Sequence, residues 1–216
     1  MRVALTSLIL AGCSGEGPVR ADQSGFERCH LPGVDAEARC GTVTVREDRA
    51  SADGRQIDLR VVVVPAVRPD PEPDPVFFLA GGPGQAASEI VGTILPTFAR
   101  VQQRRDLVFV DQRGTGASNP LDCVPAEEPT LADGFRTDVD LEEIIACRDT
   151  LTENADLTRY TTDIAMDDLD QVRQELGYRT INLYGARFGS DPGTVLGTGN
   201  AQHHADAHSL AHAFAQ

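Results

Sequence analysis

Three short stretches of this chain carry residue types that could hold or transform a ligand. The first is Leu79-Ala80-Gly81-Gly82-Pro83-Gly84, where successive glycines let the backbone turn sharply and aim N–H groups at a small anion. The second is Asp111-Gln112-Arg113-Gly114-Thr115-Gly116-Ala117-Ser118. There Asp111 and Arg113, two residues apart, are expected to clamp the loop by a charge-assisted hydrogen bond, as support for a site rather than as catalytic groups. The third, Leu183-Tyr184-Gly185-Ala186-Arg187-Phe188-Gly189, has the shape of a nucleophile elbow, G-x-S-x-G, whose glycines permit a strained strand-to-helix turn. Its nucleophile position holds Arg187. Arginine keeps its charge and has no nucleophilic oxygen, so covalent acyl transfer has no starting atom there.

Each of these stretches follows a segment that reads as a strand. Val76-Phe77-Phe78-Leu79 and Leu107-Val108-Phe109-Val110 are continuous apolar runs, as expected of strands buried on both faces. Thr180-Ile181-Asn182-Leu183-Tyr184 leads into the third loop. Upstream, Thr42 to Val45 alternates and Ile57 to Val64 is rich in β-branched residues, with Asp53-Gly54 as a hairpin signal between them. Arg68 to Pro75 is a Pro/Asp-rich surface loop. Ala86 to Arg105 leaves room for one crossover helix, and a helical stretch is expected near Leu141 to Leu151. A clearer helix starts at a Thr162 or Asp163 cap, presents Ala165, Leu169, Val172 and Leu176 on one face, and stops at Gly177. Alternating strands and helices predict an α/β fold with a mostly parallel sheet flanked by helices. In such sheets ligand sites lie beyond the C-terminal ends of the strands, where all three loops emerge.

The run from about Phe26 to Gly189 resembles the α/β-hydrolase family of proline iminopeptidases and bacterial tripeptidyl aminopeptidases. The resemblance rests on Cys29 and Cys40, on Asp74-Pro75-Val76-Phe77-Phe78-Leu79 running into the glycine loop, and on the Asp111 to Ser118 stretch. Tyr160-Thr161-Thr162 and Asn182-Leu183-Tyr184-Gly185 complete the series. It implies a serine hydrolase that releases residues from peptide N-termini. A serine attacks the carbonyl, a histidine takes its proton, an aspartate orients the histidine, and backbone N–H groups stabilise the oxyanion. By position, the oxyanion hole falls to the N–H groups of Gly82 and Phe188. Gly81, Pro83, Gly84, Asp111 and Arg113 belong to supporting loops, and Gly185 and Gly189 frame the elbow. The resemblance implies a peptide substrate and no cofactor; no metal site is expected.

The chain departs from that pattern in two ways. Arg187 replaces the serine, and the acid and histidine, which follow the serine in this fold, are expected in a half of the sheet missing after the elbow. The fold is thus expected as an N-terminal half truncated after the elbow, and this copy as catalytically incompetent. The alternative is a non-catalytic lipid-anchored binding protein or a non-functional fragment. His204, His208 and His212 fall four apart, a spacing that on a helix would gather them on one face, but an atypical low-order tail over 190–216 is the expected reading.

Met1-Arg2, a mostly apolar stretch and Leu10-Ala11-Gly12-Cys13 read as a short secretory signal over residues 1–12. The stretch also resembles a bacterial lipobox, with Cys13 as the lipidated residue. Residues 13–25 read as a flexible tether and residues 26–189 as the partial hydrolase domain. Export to a bacterial membrane surface, periplasmic or outside the cell, follows. With Cys13 set aside, Cys29, Cys40, Cys123 and Cys147 remain, an even number that suggests disulfides with three possible pairings. Cys29–Cys40 and Cys123–Cys147 are favoured because each closes a local loop. The formal net charge of −14 excludes a nucleic-acid partner held by clustered Lys and Arg. Labelling with a palmitate analogue is expected to mark the exported chain and not its Cys13→Ala variant. Equal labelling of the two removes the anchor.

Overall fold

The computed structural model describes residues 25–81, 84–123 and 140–185, together with the backbone of 195–200. Seven strands form one open sheet: β1 (Glu27–Cys29), β2 (Ala38–Arg46), β3 (Gln56–Val64), β4 (Val76–Leu79), β5 (Leu107–Val110), β6 (Thr180–Gly185) and β7 (Val195–Asn200). Their order across the sheet is β1-β2-β3-β5-β4-β6-β7. Helices α1 (Val91–Gln102), α2 (Leu141–Thr152) and α3 (Thr162–Glu175) complete the regular structure. The architecture is α/β.

The sheet is mixed rather than mostly parallel. Among the described residues β4 pairs in parallel with β5 and with β6, whereas β1–β2, β2–β3, β3–β5 and β6–β7 are antiparallel. The cause is connection length. The Glu47 to Arg55 link closes β2 onto β3 as a hairpin, while the β4-to-β5 link contains α1 and is long enough for a parallel crossover. The alternating segment around Thr42 extends to a nine-residue strand because it pairs with β3 from Arg39 to Arg46 and with β1 from Ala38 to Cys40. Strand β1 itself is too short to show a pattern. Strand β7 lies in the stretch read from sequence as a low-order tail. Its backbone pairs with all of β6, from Thr180↔Asn200 to Gly185↔Val195. Gly197 and Gly199 dilute any alternation that would have announced it.

Successive residues of the central strands feed two separate cores, one on each face. Phe77, Val108 and Val110 pack with Val43, Val45, Leu59, the α3 residues Leu169 and Val172, and the α3 C-cap Leu176. Phe78, Leu107 and Phe109 pack on the other face with Val91, Ile94, Leu95 and Phe98 of α1. Phe78 stacks on Phe109 at 4.4 Å and meets Phe98 edge-on at 4.8 Å. The continuous apolar runs are therefore strands covered on both sides. Helix α3 buries the expected stripe, but its N-cap is Thr161, one residue before the expected cap. Gly177 ends it at φ +76°, where a side chain would be strained.

Helix α2 buries no residue and leaves Leu141, Ile144 and Ile145 exposed. The side chain of its N-cap, Asp140, accepts from the N–H groups of Glu142 and Glu143. Disulfide Cys123–Cys147 tethers the helix, and Cys29–Cys40 staples β1 to β2, with Cα separations of 5.6 and 5.7 Å respectively. Among the described residues no helix is long and apolar enough to cross a membrane.

The packing contrast between α3 and α2 is measurable. Leu176→Ala, at a site with no exposed surface, is expected to lower unfolding free energy by about 2–5 kcal/mol in urea titrations. Ile144→Ala is expected to cost under about 1 kcal/mol. Equal costs would contradict the placement of the two helices.

Candidate active site

The three loops leave one edge of the sheet because β4, β5 and β6 run in the same direction. Leu79 and Gly185 are register partners at the ends of β4 and β6, and Phe78 pairs with Phe109 on the β5 side. The glycine loop therefore starts beside the strand that leads into the elbow, with the Asp111 loop on its other flank. Gly81 and Gly84 are described: the Gly81 carbonyl accepts the Gln85 N–H at 3.3 Å, and Gly84 has φ +93°. The oxyanion candidates Gly82 and Phe188, the loop residue Pro83, and the elbow residues Arg187 and Gly189 lie outside the described residues. So does Cys13.

Asp111 and Arg113 do not clamp one another. Asp111, fully buried, accepts from Ser88 N–H at 2.7 Å, Ser88 O–H at 2.8 Å and Ala117 N–H at 3.3 Å. Arg113 turns away toward α3 and the β2–β3 hairpin. Its Nε donates to Asp168 Oδ2 at 2.6 Å and its Nη2 to Asp168 Oδ1 at 2.8 Å. Nη1 donates to the carbonyls of Glu47 at 2.9 Å and Arg159 at 2.8 Å, and Nη2 also reaches the Arg46 carbonyl at 3.2 Å. Guanidinium has five N–H donors, and five acceptors meet it. Two residues separated by one position on a loop point to opposite sides, so each finds its partner on a different element. Asp168 also takes a hydrogen bond from Arg49 Nη2 at 2.5 Å.

A second anchor holds the far end of the same loop. Asn119, at φ +52°, donates to the Tyr160 hydroxyl, which in turn donates to Glu47 Oε1 at 3.0 Å. The Arg113 guanidinium lies 5.8 Å from the Tyr160 ring centroid. Burial pushes the Tyr160 hydroxyl up to about 12, and the Glu47 carboxylate adds to the rise while the bond from Asn119 opposes it. Tyr160 is thus a neutral donor and acceptor at physiological pH. Ser118 Oγ accepts the Arg60 N–H at 2.8 Å and ties the loop to β3.

Sequence reasoning missed Ser88, Asp168, Glu47 and Asn119. Asp168 alone left a trace, as an acidic residue beside Leu169 on the stripe that α3 buries. Among the described residues no group of three or more His, Cys, Asp or Glu side chains is placed to hold a metal.

An α/β sheet with a glycine loop and an elbow-leading strand at one edge defines a class of scaffold, and similarity to known proteins narrows it. The chain is 29% identical over 176 residues to a tripeptidyl aminopeptidase of Streptomyces lividans, covering 74% of this chain and 32% of that protein. It is 34% identical over 116 residues to carboxylesterase B of Mycobacterium tuberculosis, covering 51% and 22% respectively. Among solved structures it matches proline iminopeptidase of Mycobacterium smegmatis with a TM-score of 0.41 and 19% identity, over 69% of this chain and 36% of that one. No family model matches. The chain is thus similar in sequence to tripeptidyl aminopeptidases, and it spans about a third of their length.

The buried pair that shapes the site is open to test. Asp168→Ala leaves the Arg113 charge buried without its partner and is expected to cost about 3–5 kcal/mol in urea unfolding. Replacing both, as Arg113→Met with Asp168→Leu, is expected to recover most of that loss. A single variant as stable as the native chain would contradict the pairing.

Proposed function

We propose that this chain is part of a peptidase-type α/β-hydrolase whose relatives remove residues from peptide N-termini, in a copy that has lost its nucleophile. The observation that carries the reading is the register of Leu79 with Gly185, which supports a glycine loop and an elbow opening side by side. Arg187 then occupies the position from which a serine would attack. The oxyanion donors are the N–H groups of Gly82 and Phe188, and peptide is the substrate class. Mycobacterial relatives named as esterases keep simple esters as a comparison substrate, because a fold does not fix the acyl group.

Arg187 also favours a second reading, a non-catalytic, lipid-anchored binding protein built on the same scaffold. A bulky cation where the acyl group would sit is incompatible with turnover but not with binding. Both readings place the protein outside the cytoplasm. Cys13 is the anchoring residue, and the two disulfides are compatible with export.

Fluorophosphonate reactivity tests the chemistry. The native chain is expected to show no labelling and no hydrolysis of aminoacyl or tripeptidyl substrates above the residual effect of an oxyanion hole, roughly 10³–10⁴-fold over water in the best studied triad enzyme. Arg187→Ser alone is expected to give no turnover, since a serine needs a histidine base within hydrogen-bond reach. Labelling of the native chain at Ser190 together with peptide cleavage would overturn the inactive reading.

A further inference from the structure

The glycine loop after β4 and the loop after β5 meet through a single carboxylate. Asp111 follows β5 directly and has no exposed surface. Both of its oxygens reach across to the chain that follows the glycine loop, where Oδ1 takes the Ser88 N–H and Oδ2 the Ser88 hydroxyl. Ser88 is the middle residue of the 3-10 turn Ala87–Glu89. That turn is joined backward to the glycine loop through the bond from Gln85 N–H to the Gly81 carbonyl.

The surroundings leave this carboxylate no alternative position. Gly116, at φ +52°, passes so close that a Cβ there would overlap both Asp111 Oδ2 and Ala86 Cβ. Ala86 and Ala87 are themselves buried. Arg113, the nearest cation in sequence, is committed to Asp168 on α3, so Asp111 is met by the two Ser88 donors and by Ala117 N–H. Hydrogen bonds to an ionised acceptor are roughly twice as strong as neutral ones, and three that converge on one group fix direction as well as distance.

We propose that Asp111 is a positioning residue for the glycine loop. Through Ser88 it holds the 3-10 turn Ala87–Glu89, into which the loop runs from Gly84. The use of that loop as an oxyanion cradle rests on the hydrolase reading; the lock itself does not. The role is distinct from general support of the fold, which falls to Arg113 and Asp168. It predicts a local consequence: when the lock is lost, residues 84–90 should open while the rest of the sheet stays closed.

Hydrogen exchange on the full chain tests this without substrate. Asp111→Ala removes all three bonds, and Ser88→Ala removes one while leaving the fold's buried charges untouched. In each, the amides of residues 84–90 are expected to exchange at least roughly 10-fold faster than in the native chain, with β3 and α3 unchanged. Exchange in 84–90 within about twofold of native in Ser88→Ala would overturn the proposal, as would a rise of equal size in β3 and α3. Because the readout needs no turnover, its failure sinks the lock alone. A reactive native elbow in the fluorophosphonate assay would instead sink the inactive-hydrolase reading and leave the lock standing.

Discussion

A guanidinium with almost no exposed surface must have every N–H answered, and at Arg113 the answers come from three separate places in the chain. Asp168 supplies the charge, while Arg46, Glu47 and Arg159 supply carbonyls. Desolvating this cation is expensive, and the pair with Asp168 offsets that only in the observed geometry. The loop after β5, the β2–β3 hairpin, the 3-10 turn Leu157–Arg159 before α3 and α3 itself are therefore set relative to one another by one side chain. Replacing the pair with apolar groups need not destabilise the protein. Its contribution is to specify one arrangement among several that would bury similar apolar area.

Fixing these elements frees Asp111 to face the other way, toward the glycine loop. The two residues divide the work of the loop by pointing to opposite sides. The opposite edge of the sheet is closed by its own polar contacts. Asp74 receives Arg105 through two bonds of 3.1 Å and Asn182 through another of 3.1 Å, and Tyr178 donates to Asp106 at 2.6 Å. Burial alone would raise the Asp74 pKa, but the bonds from Asn182 and Arg105 outweigh it and hold the carboxyl below its usual range. A depressed folded-state pKa contributes stability above the ordinary carboxylate value, and this is lost as pH falls through the lowered one. One end of β4, β5 and β6 is thus pinned, and the other carries loops.

The scaffold and the chemistry are separable here. Register, buried loop anchors and both local disulfides are in place, and the glycine-framed sequence that starts at the end of β6 carries an arginine, Arg187, at its middle position. The apolar patterning of the strands and the similarity to aminopeptidases and esterases are present together with that arginine.

Local pattern alone determined a good deal. Four consecutive apolar residues in β4 and again in β5 announced strands covered on both faces, and Ala165, Leu169, Val172 and Leu176 announced the buried stripe of α3. Glycine spacing marked the loops, and short separations indicated the disulfide pairs. These features are legible because burial and backbone conformation act within a few residues. Tertiary structure decided the rest. It chose Asp168, 55 residues away, over Asp111, two residues away, as the partner of Arg113. It set the mixed strand directions and recruited β1 and β7, whose three residues and two glycines carry no readable period. It also turned Asp111 toward Ser88. A buried charge is satisfied by whichever group the fold brings within about 3 Å with the right geometry, and distance along the chain has no bearing on that.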